Sequence, residues 1–179
     1  MNILEKVAKI TYVTSERGFT DVDSLEVGNG GMTDIEYESH FSLWAAFRSP
    51  LFMGTDLPTA SKETLRILTN KEVIKVNQDP ILRSVSRIKN VDGIQVWAGP
   101  VSDALKVVLV LNTMATTRTI PLTIEDFGIK RSKKHYDLVD LWGGRNKTVS
   151  SFFGREFLPH QIWMVKVYEN TAYNSTILL

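Results

Sequence analysis

The sequence predicts an α/β segment followed by an all-β domain, and three observations carry that prediction. Between residues 19 and 68, strand-like and helix-like stretches alternate in the order strand, helix, strand, helix, the repeat of α/β proteins with a parallel sheet. From about residue 82, short runs of β-branched and aromatic residues take over, separated by Gly, Asn, Asp and Pro, as in an antiparallel sandwich. Between the two regimes stands Asn77-Gln78-Asp79-Pro80, a turn signal. The boundary falls near residues 78–83, giving segments 1–80 and 81–167 and a tail over 168–179.

In the first segment, residues 19–31 read as a short strand running into Gly28-Asn29-Gly30-Gly31, a loop that needs positive φ angles. Thr33 then opens a helix, with Glu36 three residues on as its capping-box partner. Tyr37, Phe41, Trp44, Ala45 and Phe47 follow at helical spacing, and Pro50 closes the segment. Leu51-Phe52-Met53-Gly54 is short, apolar and suited to a buried parallel strand. A second helix begins near Ser61, with Leu65, Ile67 and Leu68 as its buried stripe, and Val73-Ile74-Lys75-Val76 leads into the turn. Two strands and two helices do not close a sheet. The open parallel edge calls for cover from polypeptide outside this segment.

In the second segment, strands are expected at Val85-Ser86-Arg87-Ile88, Ile94-Gln95-Val96-Trp97, Lys106 to Leu111, Arg118 to Ile124, His135 to Leu141 and Ile162 to Val167. The tail is polar and then apolar, and is expected to pack loosely.

Composition narrows the function classes. A formal charge of +1 with acidic and basic residues interspersed creates no field for nucleic acid or anionic lipid. No apolar run reaches the length of a membrane span, and Met1-Asn2-Ile3-Leu4-Glu5-Lys6 lacks the pattern of a signal peptide. The absence of cysteine removes disulfides and thiolate metal sites. Asn146-Lys147-Thr148 and Asn174-Ser175-Thr176 are sequons that accept glycans in a secretory compartment. No cofactor is expected.

Candidate chemistry is sparse. Asp21 and Asp23 sit two apart, which places them on one side of a strand; the plainer alternative is a polar loop whose Asp side chains cap their own backbone. Calcium is excluded, because the twelfth position counted from Asp21 is Met32 where an EF-hand needs Glu. The Gly28–Gly31 loop lacks the pattern of a phosphate cradle. His40, His135 and His160 show no metal spacing and no nucleophile elbow accompanies them, so packing or surface roles are expected. The four tryptophans, Trp44, Trp97, Trp142 and Trp163, are expected in the core, the alternative being an exposed one that stacks on sugar rings.

Longer motifs carry more. Asp23-Ser24-Leu25-Glu26-Val27-Gly28-Asn29-Gly30-Gly31-Met32-Thr33, then Glu36-Tyr37 and His40-Phe41-Ser42-Leu43-Trp44-Ala45, resemble the α-galactosidases (melibiases) of glycoside hydrolase family 27. So do Ser49-Pro50-Leu51, Asp56-Leu57, Glu63-Thr64-Leu65 and Asn70-Lys71-Glu72-Val73-Ile74 leading to Asn77-Gln78-Asp79-Pro80. Val96-Trp97-Ala98-Gly99-Pro100, Asp140-Leu141-Trp142 and Leu158-Pro159-His160 are similar to landmarks of that family's C-terminal β domain. The resemblance runs in order over nearly the whole chain.

It implies the last two βα units of a (β/α)8 barrel followed by an antiparallel β-sandwich, with residues 19–31 as the seventh barrel strand and its loop and 50–56 as the eighth. It also implies retaining hydrolysis of terminal α-linked galactose in galactosyl oligosaccharides or glycoconjugates, by a secreted parent protein. That reaction needs a nucleophile and an acid/base carboxylate about 5–5.5 Å apart. In the family both are aspartates that precede the region matched here, so no catalytic residue is expected in this chain, which reads as a fragment inactive by itself. The family's galactose-contacting Asp aligns with Asp23, and its neighbouring Met with Ser24; these two are the candidate substrate-binding residues. Other departures are Phe19 for Trp, Thr20 for Asn, Val22 for Pro, Thr55 where many members have Cys, and Ile81-Leu82 for Leu-Gly. The alternative reading is a non-catalytic carbohydrate-binding or structural β module built on residues 82–167.

Overall fold

A computed structural model of the chain describes residues 2–130, 132, 135–144, 146–150 and 152–170. Its helical part is α1 (Asn2–Val7), α2 (Asp34–Phe47), α3 (Lys62–Leu68) and α4 (Lys71–Asn77). The capping box at α2 forms as the sequence dictates: Thr33 Oγ1 accepts the Glu36 N–H, and Glu36 Oε2 accepts the Thr33 N–H at 2.8 Å. Ser61 caps α3 through the Thr64 N–H. The α2 residues Tyr37, Phe41, Leu43, Trp44, Ala45, Ala46 and Phe47 are all buried, so α2 is apolar around most of its circumference. A helix of that kind belongs at the centre of a core.

The strands expected over residues 19–31 and 50–56 contract to one parallel bridge between Leu25 and Met53. Leu25 N–H donates to Phe52 O at 2.8 Å and Gly54 N–H to Leu25 O at 3.1 Å. Pairing stops there because Asp23 (φ 76°) and Gly28 (φ 86°) leave the extended region on either side. Val22, Leu25 and Val27 join the core around α2, whereas Phe19, Phe52 and Met53 are 63, 70 and 52% exposed. The bridge thus has one packed and one open face. Val73–Val76 lies within a helix despite its β-branched residues. Asn70 Oδ1 accepts the Glu72 and Val73 N–H groups, and Val73 and Val76, three apart, share the buried side of α4.

The second part comprises β1 (Ser86–Val91), β2 (Ile94–Val101), β3 (Ala104–Asn112), β4 (Arg118–Thr123), β5 (His135–Asp140), β6 (Asn146–Val149), β7 (Phe152–Phe157) and β8 (Ile162–Asn170). Six form one antiparallel sheet in the order β1-β2-β3-β8-β5-β6, and β4 and β7 pair in a second. Two of these strands, β6 and β7, went unread in the sequence. The tail also begins later than expected: residues 168–170 continue β8, where Tyr168 pairs with Asp137 and Asn170 with His135. Residues 171–179, including the Asn174 sequon, lie outside the described residues. Among the described residues no helix is long and apolar enough to cross a membrane.

The central strands are covered on both faces, which explains their continuous apolar runs. Ile94, Val96, Val108, Val110, Trp163 and Val165 point into a core closed by the β4–β7 sheet. Trp97, Val107, Leu109, Leu111, Ile162 and Met164, on the opposite face, join the same core as α2. The layers are therefore helices, large sheet, small sheet. Phe47 meets Trp97 edge-on at 5.1 Å, and Phe41 meets Trp142 at 6.3 Å. Each such pair contributes about 0.5–1.5 kcal/mol beyond its burial.

Polar contacts fix the same junction. Ser39 Oγ donates to His160 O at 2.7 Å and accepts the Ile162 N–H at 3.0 Å. Trp142 Nε1–H donates to Ser42 Oγ at 2.8 Å, and Asn70 Nδ2–H to Leu141 O at 3.0 Å. Asp79 spans the crossover: Oδ1 accepts the Ile81 N–H, while Oδ2 accepts both the N–H and the hydroxyl of Ser102 at the β2–β3 turn, at 2.7 and 2.8 Å.

Candidate functional site

Asp23 stands at the start of the loop that ends at the α2 N-cap. Its φ of 76° is one an L-residue seldom holds, tolerated best by Asn and Asp because their side chains bond locally. Both Asp side chains of the pair do so. Asp21 Oδ1 accepts the Asp23 N–H at 3.0 Å, and Asp23 Oδ1 accepts the Ser24 N–H at 2.7 Å. Asp23 and Ser24 are exposed, and Asp23 Oδ2 has no hydrogen-bond partner among the described residues. The capping arrangement and the availability of a carboxylate oxygen thus coexist.

The loop is held by one side of α2. Trp44 Nε1–H donates to Asp23 O at 2.7 Å, Glu26 N–H donates to His40 Nε2 at 3.0 Å, and Gly30 N–H donates to the Tyr37 hydroxyl at 2.7 Å. Residues 37, 40 and 44 are spaced by three and four, one face of a helix. The imidazole of His40 lies 3.8 Å from the Trp44 ring, at 45°. Burial lowers the His40 pKa to about 4, against a smaller upward pull from Glu26. The ring is therefore neutral near pH 7, and Nε2 has a lone pair to offer.

His40 and Trp44 were expected to serve packing or the surface; they also grip the candidate site. The signal for that role is the 37/40/44 spacing beside a loop of three positive-φ glycines, Gly28, Gly30 and Gly31. His160 takes no part in that grip: it sits at a positive-φ corner before β8 with its carbonyl on Ser39, and it lines the cavity beside His40.

Two cavities flank the clamp. One of about 330 Å³ is lined by Ile3, Leu4, His40, Trp44, Leu111 and His160. The other, of about 500 Å³, is polar and lies between the Gly-rich loop and the N-terminal ends of α2 and α3, with Asn29, Asp34, Tyr37, Asp56 and Ser61 on its walls. Asp23 and Ser24 line neither. Chemically, the arrangement is a rigidly held, solvent-facing carboxylate suited to accept hydroxyl hydrogens.

Comparison with known proteins places the chain in a family. Residues 2–79 match the family model described as alpha galactosidase A, and residues 91–167 match the alpha galactosidase C-terminal beta sandwich domain. The chain is 37% identical to an α-galactosidase of Oryza sativa subsp. japonica over 153 residues, which cover 86% of this chain and 36% of that protein. It superimposes on α-galactosidase I of Mortierella vinacea with a TM-score of 0.88 at 31% identity, covering 93% of this chain and 44% of the other. The Saccharomyces cerevisiae α-galactosidase solved with raffinose shares the fold, with a TM-score of 0.83 at 23% identity, over 94% of this chain and 51% of that one.

The chain thus spans well under two thirds of the length of these relatives. A free-standing β module is not favoured, since it leaves residues 2–79 without an account. The chain belongs to the α-galactosidases of glycoside hydrolase family 27 and corresponds to their C-terminal portion: the end of the (β/α)8 barrel and the β-sandwich that follows it.

Proposed function

We propose that this chain carries one wall of a galactose site in an enzyme that releases terminal, non-reducing α-linked galactose with retention. The observation that carries the reading is Asp23: an exposed carboxylate at positive φ, pinned through its N–H by Asp21 and through its carbonyl by Trp44. A carboxylate accepts sugar hydroxyls in short, charge-assisted hydrogen bonds, and a fixed backbone lowers the entropy lost on binding. Ser24 stands beside it in place of an apolar side chain. Galactosyl oligosaccharides or glycoconjugates are the substrates of this reading.

The nucleophile and the acid/base are assigned to polypeptide N-terminal to the matched region, which would also cover Phe19, Phe52 and Met53. Without that pair no covalent glycosyl intermediate forms. Purified residues 1–179 are accordingly expected to release no p-nitrophenol from p-nitrophenyl α-galactoside; measurable turnover overturns the assignment. In calorimetric titration with galactose or melibiose, weak binding that disappears in Asp23→Ala supports the site, and binding indifferent to Asp23 sinks it. Secretion belongs to the same reading, with Asn146 exposed at the start of β6. A mobility shift on expression in a secretory host, reduced in Asn146→Gln, tests that part.

A further inference from the structure

We propose that His40 is a positioning residue for Asp23, acting through the backbone of residues 23–26 without touching the sugar. The proposal rests on the galactose-site reading of Asp23 for its functional half only. The imidazole does two things at once. Its Nε2 accepts the Glu26 N–H, and its ring packs at 3.8 Å against Trp44, whose indole N–H holds the Asp23 carbonyl. One turn of α2 therefore grips both ends of a four-residue stretch. In the middle of that stretch, Leu25 is fully buried and bridged to Met53.

At Asp23 itself the N–H is held by Asp21 and the carbonyl by Trp44. With both peptide groups anchored, the residue stays at φ 76°, a conformation that persists only where the surroundings over-determine it. Releasing the Glu26 end frees the chain beyond Asp23 to relax.

Accepting from a backbone N–H requires an unprotonated Nε2, which puts the ring proton on Nδ1. Glu26 on the loop is the charge that acts on the ring, and Glu36 on α2 and His160 before β8 share the cavity beside it. Glu36 is occupied by the Thr33 N–H and hydroxyl at 2.8 and 2.9 Å. The ring therefore remains a neutral acceptor.

Two substitutions separate its two tasks. His40→Phe keeps a ring against Trp44 and cannot accept; His40→Gln supplies an amide oxygen in place of Nε2. In the purified 179-residue chain, we expect His40→Phe to speed Glu26 amide hydrogen exchange about tenfold and to weaken galactose binding about 3- to 10-fold, the scale of one net hydrogen bond. His40→Gln restores both to within about twofold of wild type. An unchanged Glu26 exchange rate in His40→Phe overturns the proposal. So does equal weakening in both variants that merely follows their loss of Tm, the signature of a purely structural residue. If wild type binds no galactose, the sugar reading of Asp23 falls by itself, and the exchange rates alone decide whether His40 positions the loop.

Discussion

Arg48 and Asp79 form an ion pair with both side chains only 4% exposed, Nη2 to Oδ1 3.6 Å, at the point where the chain crosses from helices to sheet. Arg48 occupies the left-handed C-cap of α2, a position that usually goes to Gly. Its guanidinium donates to the backbone oxygens of Asn77, Asp79 and Arg83. One nitrogen, Nη2, has no hydrogen-bond partner, so Asp79 is its nearest compensation.

Removing Asp79 leaves that cation buried and the Ser102 N–H unsatisfied. Asp79→Ala is expected to cost about 3–5 kcal/mol, the scale for breaking one side of a buried pair, read as a fall in the urea midpoint. Burial raises the Asp79 carboxyl, but the Ser102 and Ile81 N–H groups, the Ser102 hydroxyl and Arg48 together outweigh it, and the net shift is below the ordinary 3.8. A depressed carboxylate contributes stability that is complete above 3.8 and lost as pH falls through the lower folded value. Wild type should therefore lose stability in that acid window more steeply than Asp79→Asn. Parallel curves would contradict this.

The junction offers a second measurement. Ser39 serves as donor to His160 and acceptor for Ile162, in a buried setting. Ser39→Ala orphans the Ile162 N–H and should cost about 1–3 kcal/mol. Ser42→Ala deprives Trp142 of its acceptor, on a part-buried contact, and should cost about 0.5–1.5 kcal/mol. Equal losses in urea denaturation would mean that Ser39 does not carry its double role.

His40 links stability to pH in the opposite chemical class but the same direction. Its folded pKa of about 4 lies below its ordinary 6.5, because burial disfavours the cation. Between those values the unfolded chain binds more protons, so stability falls as pH drops through the window. Urea midpoints measured across it should fall less in His40→Gln, which has no imidazole to protonate. An identical decline would remove His40 as the cause.

Glycine positions discriminate crowding from backbone strain. A Cβ at Gly99 would sit 2.9 Å from Val85 Cα and 3.1 Å from Ser84 O, both backbone atoms that cannot swing away. Gly99→Ala should cost about 1–3 kcal/mol by overpacking. At Gly30 there is open space but a φ of +89°, so Gly30→Ala should cost only the left-handed penalty, roughly 1–2 kcal/mol. Thermal melts of the two variants give the order.

Much of this was legible in residue types. Thr33 with Glu36, and Ser61 before its helix, announce helix starts because the caps are local chemistry. The runs at β2, β3 and β8 are legible for a similar reason, since β-branched residues favour a pleated surface. What escaped depends on distant partners. Residues 19–31 read as a short strand running into a Gly-rich loop, yet Asp23 already turns positive within the strand part, and Asn77-Gln78-Asp79-Pro80 read as a turn although Asp79 reaches across to Ser102. The second sheet's β7 carries Gly154 in its interior, which weakens any strand signal. At the candidate site, Asp23 came from resemblance; the 37/40/44 spacing marks one face of α2, but that this face holds Glu26 and Asp23 depends on how the distant loop folds back.

The face of the large sheet that carries Trp97, Leu109, Leu111, Ile162 and Met164 has α2 as its lid. A polypeptide starting at residue 82 would present that surface, indole and aliphatic together, directly to water. Such bare patches drive self-association. Severing the chain at its crossover therefore yields a sandwich with one sticky outer face, and sugar binding by the β-rich part is better assayed in the intact chain than in a truncation.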